Sequence, residues 1–202
     1  MATSLSLEND SSSDTGYIKV NGTTAATLTT SGITGNLTGN VTGSLTQGGS
    51  LTLATAQTAS GTAVDFTGIP SWAKRITVMM NGVSTNGSSP VEIRATFGAI
   101  PSTYFGSGIA ITPTAISGNL STTGFQIAGQ NSANIRSGLC ILSKLSGNLW
   151  IASINGTFTD LIGSFNGGGS TLLTGPLDSV RITTSNGTDT FDAGTINISF
   201  EG

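Results

Sequence analysis

Histidine is absent from this chain of 202 residues, cysteine occurs once, and charged residues make up only 8%. Each shortage excludes something. Without histidine there is no Ser-His-Asp or Cys-His triad and no His-ligated metal site. A single thiol, Cys140, allows neither an intrachain disulfide nor a multi-cysteine zinc site. Its setting, Leu139-Cys140-Ile141-Leu142, reads as a buried and inert thiol. The seven basic residues are scattered, and the net charge is −3. Nucleic-acid binding needs a basic stripe, so that class is set aside. No apolar run approaches the ~18–20 residues that span a bilayer, so no membrane insertion is expected. The first residues, Met1 to Glu8, show neither the basic nor the apolar part of a signal peptide, and synthesis in a cytoplasm is expected. The frequent Asn-x-Ser/Thr sequons then reflect composition alone. Nothing in the chain implies a cofactor.

Ser, Thr, Asn and 29 glycines take the place of charge. Average soluble domains carry about 25% charged residues. A surface built from small neutral polar groups suits a rigid particle of β-structure and turns. It does not suit a disordered chain, because the net charge is small and the aliphatic content ordinary.

The most regular stretch is Ile33-Thr-Gly-Asn, Leu37-Thr-Gly-Asn, Val41-Thr-Gly-Ser and Leu45-Thr-Gln-Gly. An aliphatic residue recurs at every fourth position. The spacers are Thr, Gly and Asn, which are poor helix formers, so an extended or spiral strand is expected. One such strand cannot bury enough apolar surface to offset the entropy of ordering it. Several copies must wrap together so that Ile33, Leu37, Val41 and Leu45 meet on a common axis. Residues 31–50 are therefore read as the stalk of an oligomer.

Residues 1–30 precede it. Met1 to Gly16 is polar, with Glu8, Asp10 and Asp14, and reads either as a frayed terminus or as an arm that orders on a partner. Leu5 and Leu7 alternate with Ser and are candidate attachment residues that could add a strand to a partner's sheet edge. Asn21-Gly22 marks a small hairpin between Tyr17–Val20 and Thr23–Thr30.

From Leu51 onward, period-2 alternation dominates. Ile76, Val78 and Met80 oppose Arg75, Thr77 and Met79; Val91, Ile93, Ala95 and Phe97 oppose Glu92, Arg94 and Thr96. Leu149 and Ile151 oppose Trp150 and Ala152; Val180 and Ile182 flank Arg181; Ile196, Ile198 and Phe200 alternate with Asn197, Ser199 and Glu201. Breaks fall at Asn81-Gly82, Asn86–Pro90, Ser117–Asn119, Ser146–Asn148, Asn166–Ser170 and Ser185–Gly187. This predicts an all-β head over 51–202, an antiparallel β-sandwich of jelly-roll type, with no helix.

The run Ile33 to Gly43 resembles the repetitive shafts of bacteriophage tail fibres. The stretches Thr58 to Val78 and Val180 to Glu201 resemble a module common in phage tail and virion proteins. The resemblance covers about a third of the chain. It implies a homotrimeric virion fibre made in the host cytoplasm, with the N-terminal arm on a tail, baseplate or capsid protein and the C-terminal knob outward. A tail fibre whose knob binds a host surface glycan or protein is the leading expectation. A capsid-attached head fibre or decoration protein without specific host contact is the alternative. No catalytic residues are carried over.

The residues themselves do not suggest an enzyme. Asp189 and Asp192 are the closest carboxylate pair in the head, and read as turn carboxylates bonding their own backbone ahead of a calcium or catalytic site. Asp65 and Glu92 read as solvated strand faces. Candidate receptor-contact loops are Ser102–Gly106, with Tyr104 and Phe105, and Phe165–Gly169, with Phe165 and Asn166, because aromatic rings stack on sugars and loops on rigid scaffolds carry binding. Trp72 and Trp150 read as core or subunit-interface residues.

The double substitution Leu37→Asn, Val41→Asn is expected to abolish oligomer assembly, because it places polar amides on a shared apolar axis without partners. Light scattering that shows the parent's oligomer would remove the repeat from its role as assembly core.

Overall fold

The computed structural model describes residues 5–10, 15–20, 23–29, 32–34, 51–96, 103–127 and 134–202. The chain divides into two compact units, Met1–Ser44 and Leu45–Gly202. Both are built from antiparallel strands, and the described residues contain no helix.

The first unit holds β1 (Leu5–Asp10), β2 (Thr15–Val20), β3 (Thr23–Thr29) and β4 (Gly32–Thr34), paired in that order. Val20 stands opposite Thr23, so β2 and β3 form the hairpin expected around Asn21-Gly22. Leu5 pairs with Val20 and Leu7 with Ile18 in the ladder. The segment that carries them is thus the edge strand of its own sheet, where the sequence left it a frayed terminus or a docking arm. Ile33 lies in β4 opposite Leu28, which joins the start of the repeat to this sheet. Leu37, Val41 and Leu45 lie outside the described residues.

The second unit begins with β5 (Thr52–Leu53), β6 (Gln57–Thr58), β7 (Ala63–Thr67), β8 (Arg75–Thr85), β9 (Val91–Thr96) and β10 (Tyr104–Ile111). It continues with β11 (Ile116–Ser121), β12 (Phe125–Ile127), β13 (Arg136–Ser146), β14 (Leu149–Phe158), β15 (Ser164–Leu172), β16 (Ser179–Thr184) and β17 (Phe191–Glu201). The large sheet runs β11-β10-β15-β14-β13-β8-β17-β5, with β6 also on β17; the small one runs β12-β9-β16-β7.

Alternation decides what the two sheets share. Ile76, Val78, Cys140, Leu142, Trp150, Ile154, Phe165, Ile196 and Ile198 from the large sheet form one core with Val64, Phe66, Val91, Ile93, Phe125, Val180 and Ile182 from the small one. Fully burying such side chains contributes about 1.5–3 kcal/mol each against conformational entropy. The Tyr104 ring meets the Phe125 ring edge-on at 5.1 Å, one contact that ties the sheets together. Of the alternating residues, Ala95, Thr96 and Phe97 fall outside what is described of side chains.

Three expected breaks lie inside strands. Asn81-Gly82 sits within β8, where Gly82 has φ 66° and the registers with β13 and β17 shift. The turn signal there makes bulges instead of a reversal. Ser117-Gly118-Asn119 lies in β11, where a Cβ on Gly118 would come within 2.6 Å of Ile109 Cγ2. Asn166–Ser170 lies in β15, where a Cβ on Gly169 (φ 153°) would sit 2.1 Å from the Phe105 carbonyl oxygen. Glycine in this strand serves close packing of neighbouring backbones. Ser146–Asn148 and Ser185–Gly187 are turns as expected, with φ 50° at Gly147 and 70° at Gly187.

Cys140 is fully buried, and burial pushes its thiol well above the ordinary range. The native protein is expected to be silent toward a thiol-specific disulfide reagent at about pH 8, near the pKa of a free thiol. One equivalent should react after unfolding in guanidinium. Prompt reaction of the native protein would contradict the closed core.

Candidate functional site

The outer face of the large sheet holds a groove of about 450 Å³ where β10, β11 and β15 run side by side, lined by Phe105, Gly106, Ser107, Leu120, Ser121, Thr122, Gly168 and Gly169, with Tyr104 at its base. Two apolar side chains stand out of it: Phe105 is 71% exposed and Leu120 86%. A smaller depression of about 300 Å³ on the other side of Leu120 is lined by Ser107, Gly108, Ile109, Gly118 and Asn119.

The groove exists because β15 lacks side chains there. Gly168 pairs with Ser107, and Gly169 with Gly106, so beside Phe105 the β15 edge of the groove is bare backbone. Across the next ladder Leu120 pairs with Ser107, which puts the two exposed apolar residues on adjacent strands of one face. The lining is uncharged: an aromatic ring, an aliphatic side chain, the hydroxyls of Ser107 and Thr122, and exposed peptide edges, while the Ser121 hydroxyl is committed to Glu92. Such a surface can stack against a sugar ring or an apolar side chain and hydrogen-bond its rim.

One wall is fixed from within by Glu92, which is 1% exposed. Its carboxylate accepts from Ser121 Oγ at 2.7 Å, from Thr123 Oγ1 at 2.9 and 3.0 Å, and from Arg94 Nη2 at 3.0 Å and Nε at 3.3 Å. The Ser121–Gly124 turn folds over it so closely that a Cβ on Gly124 would meet Glu92 Cβ at 3.0 Å. Glu92 is therefore a buried anchor for this turn, which corrects the reading of a solvated strand face. Alternation alone places it on the outer side of the small sheet; the turn that covers it comes from elsewhere in the chain. Asp65, on the same sheet, is partly exposed and takes a two-point ion pair from Arg181, Nε to Oδ1 at 2.7 Å and Nη2 to Oδ2 at 2.8 Å.

The four candidate contact residues part company. Phe105 lines the groove. Tyr104 is buried in the core, because successive residues of a strand point to opposite faces and this pair lies in β10 and not in a loop. Phe165 is likewise buried, against Phe158 at 5.7 Å, so neither ring offers a ligand a face. Asn166 is on the outer face, where its Oδ1 accepts from Asn155 Nδ2 at 2.7 Å. It pairs with Ile109, four residues along β10 from Phe105, or about 13 Å at the usual rise. Leu120, Ser107, Ser121 and Thr122 had no sequence signal, since only the β10–β11 register brings them to Phe105. Of the tryptophans, Trp150 is core, whereas Trp72 is only partly buried.

Asp189 Oδ2 accepts from the Ser89 backbone N–H at 3.0 Å, and its Oδ1 from Asn186 Nδ2 at 2.6 Å. These bonds, that from Asn186 foremost, hold its carboxyl below the ordinary range. Asp192 accepts from the Ser84 hydroxyl. Both carboxylates thus brace connections between strands. Among the described residues no three His, Cys, Asp or Glu side chains gather to hold a metal ion. No family model, curated protein or solved structure matches the chain.

Glu92→Ala leaves Arg94, Ser121 and Thr123 without their shared acceptor. Removing one member of a buried charged pair costs about 3–5 kcal/mol, and a loss of about 3 kcal/mol is expected in urea unfolding. A change below about 0.5 kcal/mol, the range of ordinary surface substitutions, would show that the carboxylate does not anchor the turn.

Proposed function

We propose that the chain is a non-enzymatic structural protein of a bacteriophage virion, a homotrimeric fibre with a jelly-roll-like head that recognises a glycan or protein on the host cell. The observation that carries the recognition half is the pairing of exposed Phe105 and Leu120 across a neutral, hydroxyl-rimmed groove on a rigid sheet. Large apolar side chains displayed together on a regular strand face gain nothing for folding, and clusters of this kind mark interaction sites. The fibre half is supported by the four-residue repeat and by the resemblance of the shaft and head stretches to virion proteins. In this reading the first unit attaches the protein to the particle, the repeat joins three chains, and the groove meets the host.

A second reading has its own support. Ile109, Ile116, Leu139, Ile151 and Leu172 are also exposed along the large sheet. That is more apolar surface than one small ligand needs, and it would suit packing against neighbouring subunits in a head fibre or decoration protein on a capsid.

Gold-labelled antibody against residues 51–202, applied to intact particles, separates the two. Label at the tail tip or baseplate supports host recognition, and label spread over the capsid supports decoration. For the groove itself, Phe105→Ala and Leu120→Ser in the full chain are each expected to weaken adsorption to host cells about thirtyfold, the scale of one interface hot spot. The melting temperature should be unchanged. Adsorption equal to the parent's would remove the groove from the contact.

A further inference from the structure

At another place in the head, a cleft of about 550 Å³ is lined by Ser71, Trp72, Lys74, Lys144, Leu145 and Ser146, with Gly202 at its margin. Its volume falls in the range of small-molecule sites, ~300–1,000 Å³. Trp72 is held in place from two sides. It lies in a tight turn closed by the Ala73 N–H donating to the Pro70 carbonyl at 2.9 Å. Its ring rests on Phe200, with centroids 5.8 Å apart and planes at 53°. Part of the indole stays open to the cleft.

The charge at this cleft is unusual for the molecule. Arg75 pairs with Glu201 at 3.3 Å, Arg94 with Glu92 at 3.0 Å and Arg181 with Asp65 at 2.7 Å. Arg136 is buried, donates to the Asn134 carbonyl at 2.8 Å and feels the charge of Asp160. Lys74 and Lys144 are the two cations of the second unit with no ion-pair partner among the described residues, and both line this cleft. The backbone holds their positions together: the Lys144 N–H donates to the Lys74 carbonyl at 2.8 Å, and the Lys74 N–H to the Glu201 carbonyl at 2.8 Å. In a chain so poor in charge, two lysines that line the same cleft as Trp72 favour an anionic ligand over a neutral one.

We propose that this cleft binds an acidic sugar, one bearing a carboxylate or a phosphate, with Trp72 as the stacking face and Lys74 and Lys144 as counter-charges. The indole offers an apolar plane to the ring's C–H face, and the lysines supply mobile donors to the anion. Lys74 is exposed and Lys144 partly so, and the electrostatic share should therefore be modest and strongly screened by salt. The proposal concerns a site separate from the Phe105 groove and does not depend on where the protein sits in a particle.

The test uses the full chain and follows its two indole N–H signals by NMR. Glucuronic acid and glucose 6-phosphate are the probes, glucose is the neutral control, and inorganic phosphate tests the anion alone. The Trp72 signal is expected to shift with both acidic sugars at about tenfold lower concentration than with glucose, as two exposed ion pairs allow. The shift should weaken in 0.5 M NaCl and vanish in the Lys74→Gln, Lys144→Gln variant. The buried Trp150 signal should stay fixed in every titration and so reports that the variant is folded. Equal response to glucose, an unchanged titration in the double variant, no shift with any sugar, or the same affinity for phosphate alone would each overturn the proposal. Loss of cell adsorption in the Phe105 variants would leave it untouched, so the two sites fail or stand separately.

Discussion

The inner faces of two antiparallel sheets must meet, and every strand that takes part commits alternate residues to that contact. Everything else in the second unit follows from this division. Trp150, Phe165, Tyr104 and Phe125 go inward and exclude water together. Their strand neighbours, Ile151, Asn166 and Phe105, have no place in the core and are turned out whatever their chemistry. An outward aromatic residue such as Phe105 is thus not a packing residue that failed to find a site. The strand that carries Tyr104 inward carries Phe105 outward, and the bare backbone of Gly168 and Gly169 beside it leaves its ring uncovered.

The same division explains why a chain with so few charges buries one of them. The small sheet's outer side faces the Ser121–Gly124 turn around Glu92, where hydroxyl and guanidinium donors converge. An apolar residue at that position would pack, but it would leave Ser121 and Thr123 without their acceptor and the turn without a fixed geometry. Buried ion pairs are weak evidence for net stability against a hydrophobic replacement. Their value lies in directionality: a carboxylate that takes bonds from Ser121, Thr123 and Arg94 permits one placement of the turn. The groove wall made by Ser121 and Thr122 inherits that placement.

Much of this was legible in the sequence, and the limits have physical causes. Ile76-Val78-Met80, Val180-Ile182 and Ile196-Ile198 show their buried face through period two alone, because a half-buried strand has no other way to sort its side chains. The all-β class and the hairpins at Asn21-Gly22 and Ser146–Asn148 follow from the same local rules. Asn166-Gly-Gly-Gly-Ser170 misled because glycine serves two purposes, reversal and close approach, and only the strand packed alongside tells them apart. Tyr104 and Phe105 could be picked out as a pair but not separated, since their roles depend on being in a strand and on its phase. Glu92 was unreadable because the atoms that bury it belong to residues some thirty positions away. Lys74 and Lys144 showed nothing, because an unpaired cation is recognised only after all the pairs are known.

Among the described residues of the second unit, each ion pair fastens one part of the fold to another. Arg181 with Asp65 crosses from β16 to β7, Arg75 with Glu201 crosses from β8 to β17, and Arg94 with Glu92 secures a turn. The two exposed pairs, Arg181 with Asp65 and Arg75 with Glu201, contribute little each in water, yet they neutralise strand faces that would otherwise attract counter-ions and unrelated partners. The outer surface is left to hydroxyls, amides and aliphatic groups, whose weak contacts are short-ranged and demand shape. Against that background two unpaired lysines beside an indole carry more information than they would on an ordinary charged surface. There they would be two among many; here no competing cation of the second unit is free to draw an anionic ligand elsewhere. The scarcity of charge thus raises the selectivity of the few charges that remain unpaired.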